Sequence, residues 1–273
     1  GPYKGGLRFH PTVNLSVLKF LAFEQCFKNA LTGLPMGGGK GGSDFNPKGR
    51  TDRDIMLFCQ SFMRELQRHI GANTDVPAGD INVGAREIGY LYGEYRRLNN
   101  RFEGVLTGKG LEFGGSYVRT EATGFGLIYF LEAVCQHQDT HIDGKTIAVS
   151  GAGNVALHAA LKATEKGGKV VTLSNSRGLL HNEKGLNDTD IKWAIENHAS
   201  RNNILKDMAE NDMGTWADNK KPWHIACDVA LPCATQNELT EDDARALLDN
   251  GCRMVLEGAN MPCTNKAQAL FIK

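Results

Sequence analysis

The sequence comprises 273 residues, of which 41% are hydrophobic and 23% charged, a composition typical of globular rather than disordered proteins. Its 31 Lys and Arg residues equal its 31 Asp and Glu residues, so the formal net charge of zero does not favour a nucleic-acid partner or a polybasic membrane surface. No run of about 18 apolar residues occurs, which excludes a transmembrane helix.

The cysteines give no sign of a metal site or of a disulfide framework. Seven of them are scattered along the chain without a CxxC pair, and we interpret them as core thiols of a cytoplasmic protein. No metal is therefore expected. The chain begins with Gly1-Pro2 rather than Met, and we expect it to be part of a longer protein.

The first part of the chain combines glycine-rich loops with three predicted helices. The first helix runs from about residue 13 to residue 31, where Gln25 and Lys28 are three residues apart and therefore project together. The helix also carries an apolar stripe of Phe20, Phe23, Phe27 and Leu31. The second helix, at 51–69, is predicted to bury Ile55, Phe58, Phe62 and Leu66. The third helix passes through Ile88, Leu91, Tyr92 and Tyr95.

Beyond about residue 119 the pattern changes to short strands that alternate with helices. Strands are predicted at 145–150, 169–173, 226–231 and 253–257, with helices at 123–138, 157–166 and 241–248. This alternation is typical of a parallel sheet with right-handed crossovers. The predicted fold is therefore α/β with two domains: a glycine-rich α/β substrate domain at 1–121, then a Rossmann-type doubly wound nucleotide-binding domain at 122–273.

A glycine-rich turn follows the first predicted strand of the second domain. In Gly151-x-Gly153-x-x-Ala156, Gly151 permits a tight turn, Gly153 lets the backbone approach a pyrophosphate, and Ala156 allows close helix–strand packing. The helix that follows supplies free N–H groups for the phosphate. The pattern predicts dinucleotide binding, although a βαβ turn that binds nothing can carry the same residues.

The end of the next strand bears on the choice between NADP and NAD. The segment Ser174-Asn175-Ser176-Arg177 offers no carboxylate for a ribose 2′-OH, whereas Ser174 and Arg177 suit a 2′-phosphate. Arg177 could equally be a solvated loop residue. The segment therefore favours NADP, with NAD still open.

A lysine surrounded by glycines and an aspartate in a second loop are candidates for catalysis. Five glycines flank Lys40 within 37–42, but Gly41 follows the lysine where a phosphate-binding P-loop has Ser or Thr. The glycines let the backbone approach a small substrate, and a desolvated lysine can act at neutral pH. Asp80, after Pro77-Ala-Gly, could be a helix cap or a proton shuttle. Lys4 and Lys28, taken singly, could be solvated charges.

Seven segments occur in one order along the chain: GPYKGGLRFHP, LPMGGGKGGSDF, DVPAGD, EATGFG, SGAGNVA, LPCATQNEL and EGANMP. Together they closely resemble the short-subunit, hexameric glutamate dehydrogenases over essentially the whole chain. The resemblance implies a cytoplasmic homohexamer that interconverts L-glutamate with 2-oxoglutarate and ammonium, using NADP in preference to NAD. It also implies a fragment, with a serine of the substrate site beyond Lys273.

The resemblance assigns roles to individual residues. Lys40 corresponds to the catalytic lysine, Asp80 to the catalytic acid–base residue, and Lys4 to the lysine that holds the substrate's side-chain carboxylate. The same comparison implies further contacts: Gln25 and Lys28 with the α-carboxylate, Gly79 and Asn260 beside the substrate, and Thr123 and Asn154 with the dinucleotide.

Two alternatives stay open at this point. One is a related dehydrogenase acting on leucine, valine or phenylalanine, although such enzymes have an apolar group where Lys4 stands, and a lysine would be costly in an apolar pocket. The other is a nucleotide-binding subunit that has lost catalysis, although Lys40 and Asp80 are both present.

Overall fold

The computed structural model describes residues 2–117, 120–198 and 203–272, and it divides into two compact units, Gly1–Arg119 and Thr120–Lys273. Residues 1 and 273, the outer ends of the two predicted domains, lie outside the described residues. In each unit helices pack on a sheet, so the predicted two-domain α/β class is confirmed. In the described part of the chain no helix is long and apolar enough to cross a membrane.

The first unit is built on a small parallel sheet. Its described elements are β1 (Tyr3–Phe9), α1 (Leu15–Ala30), β2 (Gly37–Gly38), β3 (Gly41–Ser43), α2 (Asp52–Leu66), β4 (Val76–Gly79), α3 (Ala85–Asn99) and a short 3-10 helix (Leu111–Phe113).

Strand β1 is the centre of this sheet. Lys4 pairs with both β2 and β4, and Leu7 pairs with both β3 and β4, so β2 and β3 lie on the same side of β1. Both strands pair with β1 at the same offset in residue number, because Tyr3 pairs with Gly37 of β2 and Leu7 pairs with Gly41 of β3. Strands β2 and β3 therefore form one line beside β1, interrupted at residues 39–40.

The core of the first unit forms between β1 and helices α2 and α3. Phe9 is fully buried and meets Phe58 and Phe62 edge to face, with ring centroids 5.1 and 5.5 Å apart. The predicted buried face of α2 is correct for Ile55 only, since Phe58, Phe62 and Leu66 are half-buried and the fully buried positions are Cys59 and Met63. The predicted apolar residues of α3 are all buried, whereas the apolar stripe of α1 is exposed.

The second unit contains a six-stranded sheet. Its described elements are α4 (Ala122–His137), β5 (Thr146–Val149), α5 (Asn154–Glu165), β6 (Lys169–Asn175), β7 (Gly178–His181), α6 (Asp188–Asn197), α7 (Ile204–Glu210), β8 (Thr215–Asp218), a 3-10 helix (Pro222–His224), β9 (Val229–Leu231), α8 (Glu241–Asp249), β10 (Met254–Val255) and α9 (Asn265–Phe271).

The strand order in this sheet is β10-β9-β5-β6-β7-β8. From β5 the chain first adds β6 on one side and later returns to add β9 on the other, which makes a topological switch point beside β5. The predicted parallel arrangement is correct for β10, β9, β5 and β6. The sequence did not predict β7 and β8: β7 forms an antiparallel hairpin with β6, and β8 pairs antiparallel with β7.

Helices cover both faces of the second sheet. Ile147 and Val149 of β5 pack in a core with residues of α4 and α5, while Ala148 between them packs with Trp223 and residues of α8. Successive strand residues point to opposite faces, so this alternation gives a doubly wound arrangement, as predicted.

Candidate active site

The interruption between β2 and β3 contains Lys40, whose position in the register is opposite Gly6 of β1. The lysine side chain is only 6% exposed, and its Nζ atom donates a hydrogen bond to Oδ1 of Asp80 at 3.1 Å. Arg8 donates from Nε to Oδ2 of the same carboxylate at 2.6 Å. The structure thus brings the two predicted catalytic residues into direct contact, with an arginine holding the second oxygen of Asp80.

The charges around Asp80 determine its ionisation. Burial by itself raises the pKa of this carboxyl, but the charge of Lys40 and the hydrogen bond and charge of Arg8 oppose burial and leave the pKa below its ordinary value. Asp80 is therefore a carboxylate at neutral pH and can accept a proton.

Gly6 provides the space in which this ion pair forms. A Cβ atom at position 6 would lie 2.8 Å from Cβ of Asp80 and 3.2 Å from Nζ of Lys40. The first distance is shorter than carbon atoms tolerate, so any larger residue would displace the aspartate. Glycine at position 6 is therefore needed to leave room for the contact between Lys40 and Asp80.

A tight turn fixes the backbone of Asp80. The Val83 amide donates to the Asp80 carbonyl at 2.9 Å, and a Cβ atom at Gly79 would lie 2.4 Å from the Val83 carbonyl oxygen. Asn82 in this turn has φ +58° and donates from Nδ2 to the Phe9 carbonyl at 2.8 Å, which ties the turn to β1. Gly79 is therefore required by the turn, whatever contact its backbone makes with a substrate.

Lys4, the predicted ligand of a distal carboxylate, lies on the same strand as Gly6 and Arg8. The three residues alternate along β1 and so share one face of the sheet. Lys4 is half-buried, and its Nζ atom donates to Oγ1 of Thr107 at 2.7 Å. Lys4 thus lies two residues before Gly6 on the same face of β1, and Thr107 accepts a hydrogen bond from its amine.

Helix α1 carries Gln25 and Lys28 and packs closely on β2. A Cβ atom at Gly38 would lie 2.2 Å from a backbone nitrogen of α1, so only glycine allows this approach. Gln25 is half-buried and donates from Nε2 to Oδ1 of Asn29 at 2.8 Å, while Asn29 donates to the Lys4 carbonyl at 3.1 Å. Lys28 is exposed one turn from Gln25. Asn29 therefore connects two elements: helix α1, which carries the predicted α-carboxylate ligands, and strand β1, which carries Lys4.

In the second unit, the predicted dinucleotide turn follows β5 at the switch point. Gly151 has φ +96°, which glycine tolerates readily, and a Cβ there would lie 3.0 Å from Cβ of Ala156. The Gly151 amide donates to Oγ of Ser174 at 3.3 Å, and the Cys233 amide donates to Oγ of Ser150 at 3.0 Å. Ser174 is buried and holds the turn against β6, so its hydroxyl is not at the exposed end of the strand.

The start of α5 fits a phosphate group. Gly153 is its N-cap and supplies no side chain to bond the first free amides, and a Cβ atom there would meet open space. Asn154, the first helical residue, is exposed and donates from Nδ2 to the Thr120 carbonyl, which places the start of α4 beside it. Thr123 is exposed in the first turn of α4. Gly153, Asn154 and Thr123 therefore belong to neighbouring helix starts.

The strand end proposed to read the 2′ position is a hairpin between β6 and β7. Asn175 donates from Nδ2 to Oδ1 of Asn203 at 2.9 Å and accepts from the Arg177 amide at 2.8 Å, so its side chain shapes the turn. Ser176 and Arg177 are exposed at the tip. Asn260 is also exposed, two residues after Gly258, whose amide donates to the Pro232 carbonyl beyond β9 at 3.0 Å.

Four residues around the first-unit site were not singled out from the sequence. Arg8 could have been noticed, since it alternates with Lys4 and Gly6, and Asn29 lies one turn after Gln25. Thr107 had no local signal, because a long-range contact brings it to Lys4. Glu24 is half-buried, and its Oε2 atom has no hydrogen-bond partner among the described residues.

Two family models match the chain. Residues 1–97 match a model described as the Glu/Leu/Phe/Val dehydrogenase dimerisation domain, and residues 114–273 match one described as Glutamate/Leucine/Phenylalanine/Valine dehydrogenase.

Several curated proteins are similar to the chain. It is 56% identical over 274 residues to an NAD-specific glutamate dehydrogenase of Bacteroides fragilis, covering 100% of this chain and 62% of that protein. It is 54% identical over 271 residues to an NADP-specific glutamate dehydrogenase of Escherichia coli, covering 99% of this chain and 61% of that protein. The chain therefore spans about three fifths of the length of these relatives.

The fold is also that of solved structures. A glutamate dehydrogenase of Plasmodium falciparum has a TM-score of 0.97 and 52% identity, covering 100% of this chain and 58% of that one. A hetero-hexameric glutamate dehydrogenase of Thermus thermophilus has a TM-score of 0.87 and 28% identity, covering 100% of this chain and 62% of that one.

Proposed function

Because the chain belongs to the glutamate/leucine/phenylalanine/valine dehydrogenase family, we propose that the whole protein catalyses the reversible oxidative deamination of L-glutamate to 2-oxoglutarate and ammonium. The observation that carries the proposal is the buried contact between Lys40 and Asp80, with a further positive side chain, Lys4, on the central strand β1. The similar curated proteins are named glutamate dehydrogenases, which supports the same reaction.

The positive side chains suit a dicarboxylate substrate. Lys4 would hold the distal carboxylate, with Thr107 fixing the direction of its amine. Gln25 and Lys28 of α1 would hold the α-carboxylate, with Gly79 beside the substrate. Charges on separate elements define both the length and the direction of the bound molecule, which orients its α-carbon.

Lys40 and Asp80 would manage the protons of the reaction. In the direction of deamination, the bound nucleotide would supply the hydride acceptor for the α-carbon of glutamate. Lys40, after passing a proton to Asp80, would take a proton from the water that adds to the imine carbon, and Asp80 would pass its proton on to the departing nitrogen. The hydrogen bond between the two side chains, 3.1 Å long, provides a direct path for a proton between them.

The second unit would bind the nucleotide, and we propose NADP as the preferred form. The turn from Gly151 to Gly153 and the uncapped start of α5 fit a pyrophosphate, with Asn154 and Thr123 at its edge. Arg177, exposed at the hairpin tip, would pair with a 2′-phosphate. Ser174 would contribute to nucleotide binding indirectly, by accepting a hydrogen bond from the Gly151 amide and so holding the glycine turn. Relatives of both specificities are similar to this chain, so NAD is the alternative.

Lys4 argues against the alternative of an apolar amino acid as substrate. A half-buried ammonium would lose its hydration in a pocket for leucine, valine or phenylalanine without gaining a charged partner. We further propose a cytoplasmic homohexamer for the whole protein. The dimerisation-domain model over residues 1–97 and the description of a similar structure as hetero-hexameric support an assembly of several subunits.

The test is turnover by the whole protein that contains this chain. NADPH oxidation should require both 2-oxoglutarate and ammonium, and Lys40→Ala should abolish it while leaving the protein folded. Equal turnover with 4-methyl-2-oxopentanoate would instead favour an apolar amino acid, and no turnover with any 2-oxo acid, whether NADPH or NADH is supplied, would favour a subunit without catalysis.

A further inference from the structure

We propose that Arg8 is a positioning residue for catalysis, which holds the Asp80 carboxylate in the orientation from which it exchanges protons with Lys40. The proposal rests on the proposed function and adds to it a residue that acts through Asp80. The main observation in its favour is the hydrogen bond from Nε of Arg8 to Oδ2 of Asp80 at 2.6 Å. Lys40 donates to the other carboxylate oxygen, Oδ1.

The geometry of the three side chains supports this role. Asp80 uses one oxygen for each cation, so the carboxylate cannot rotate without losing both bonds. All three side chains are shielded from water, with exposures of 11% for Arg8, 17% for Asp80 and 6% for Lys40. In such surroundings a charge-assisted hydrogen bond is stronger and more directional than at the surface.

Both partners are also held by rigid backbone. Arg8 lies within β1 and pairs with Gly42 of β3, where a Cβ atom would lie 2.2 Å from the Arg8 carbonyl oxygen. The next residue, Phe9, donates its amide to the Ile81 carbonyl at 3.1 Å, directly beside the Asp80 turn. A guanidinium on a central strand thus meets a carboxylate on a turn that is bonded to the same strand.

The charges facing Asp80 determine what the loss of Arg8 would do. Asp80 faces Lys40 and Arg8, and Glu24 of α1 faces the same two cations. Burial raises the pKa of Glu24 although Lys40 and Arg8 oppose the rise. Without Arg8, burial of Asp80 would be opposed by Lys40 alone, so the pKa of Asp80 would rise. The acid limb of the kcat profile would then move to higher pH, because the carboxylate would be protonated sooner as pH falls.

A double-mutant cycle in the whole protein tests the proposal. Arg8→Gln should lower kcat for 2-oxoglutarate amination by about 10- to 100-fold with little change in KM, since Arg8 acts on the proton-transfer step and not on the substrate. Arg8→Lys keeps the charge and should restore part of kcat and of the pH profile. In the Asp80→Asn background, Arg8→Gln should cause no further loss beyond about twofold, because residues that act together are not additive.

Arg64→Gln is the matched control. Arg64 is an ion-paired arginine of the same unit, with Nε 3.0 Å from Glu94, and its loss should leave kcat unchanged in both backgrounds. An equal further loss from Arg8→Gln in the Asp80→Asn background, or an unchanged kcat and pH profile in the single variant, would overturn the proposal. If Arg8→Gln does not fold, Arg8→Met, which also removes the charge, takes its place, and an unshifted acid limb with wild-type kcat in that variant would overturn the proposal as well. If the wild type shows no glutamate turnover, the proposed function fails and this proposal fails with it.

Discussion

The Nζ atom of Lys40 and the Oδ1 atom of Asp80 are 3.1 Å apart, although 40 positions separate the two residues along the chain. They approach from opposite sides of β1, because Lys40 interrupts the β2–β3 line and Asp80 follows β4. Gly6 on β1 leaves the space between them. The pair is therefore a product of the small parallel sheet, and its chemistry can be tested residue by residue.

Replacing Asp80 by Asn should lower kcat of the whole protein by a factor of about 10² or more, since that is what positioned proton transfer contributes. The amide keeps the shape of the side chain, so KM for 2-oxoglutarate should change little. Steady-state kinetics measure both quantities. Asp52→Asn, which removes an exposed aspartate 2.6 Å from Arg86, is the control and should have no effect. Near-normal turnover would make Asp80 a structural residue of its turn.

Replacing Gly6 by Ala should abolish most of the turnover, because the new Cβ would lie 2.8 Å from Cβ of Asp80 and must displace it. Gly93→Ala is the matched control within helix α3. A Cβ atom there meets open space, so the variant should keep full activity and gain about 0.5–1 kcal/mol of stability. Activity assays and thermal unfolding of both variants measure the expected changes in turnover and in stability. Full activity of Gly6→Ala would mean that the Lys40–Asp80 contact tolerates a shift.

Replacing Lys4 by Leu should weaken the use of glutamate and relax the preference toward apolar amino acids. The distal carboxylate would lose its cation, at a cost of roughly 2–5 kcal/mol in transition-state binding. The measurement is kcat/KM for glutamate and for leucine, with Lys48→Leu, which changes an exposed lysine, as the control. If glutamate kinetics are unchanged, Lys4 does not bind the carboxylate.

The preference for NADP should depend on the hairpin tip between β6 and β7. Arg177→Ala should lower the ratio of kcat/KM for NADP to that for NAD by removing an attraction, and Ser176→Asp should lower it by adding repulsion. Asn175 is a poor place for the added carboxylate, because its side chain bonds Asn203 and the Arg177 amide. Lys184→Ala, at another exposed lysine of the same unit, should leave the ratio unchanged. A ratio indifferent to both tip variants would show that other residues read the 2′ position.

The sequence predicted helices α4, α5 and α8 and the four parallel strands of the second unit, because their apolar periodicity is local, but it did not predict α6, α7 and α9. Helix α4 (Ala122–His137) and strand β6 (Lys169–Asn175) lie within two residues of the predicted bounds. It did not predict the first sheet. Strands such as Gly37–Gly38 and Gly41–Ser43 have almost no side chains, so their pairing is determined by β1 and not by their own composition.

The candidate site could be predicted only in part for the same reason. Glycine clusters drew attention to Lys40, and the resemblance to a family assigned roles to Asp80 and Lys4 that the residues by themselves had left open. Local alternation along β1 could have indicated Arg8, but its contact with Asp80 and that of Thr107 with Lys4 span 72 and 103 positions of the chain, so no local pattern predicts these contacts. Ser174 was expected to suit a 2′-phosphate because it lies near the end of a predicted strand. The sequence could not show that its side chain is buried against Gly151 and is not exposed at the hairpin tip.

The most direct test of the proposed reaction is the rate of NADPH oxidation by the whole protein, followed by absorbance while 2-oxoglutarate and ammonium are supplied separately and together. For a glutamate dehydrogenase we expect turnover only when both are present, little turnover with 4-methyl-2-oxopentanoate, and loss of turnover in Lys40→Ala. Turnover that does not need ammonium, or that persists in Lys40→Ala, would contradict this expectation.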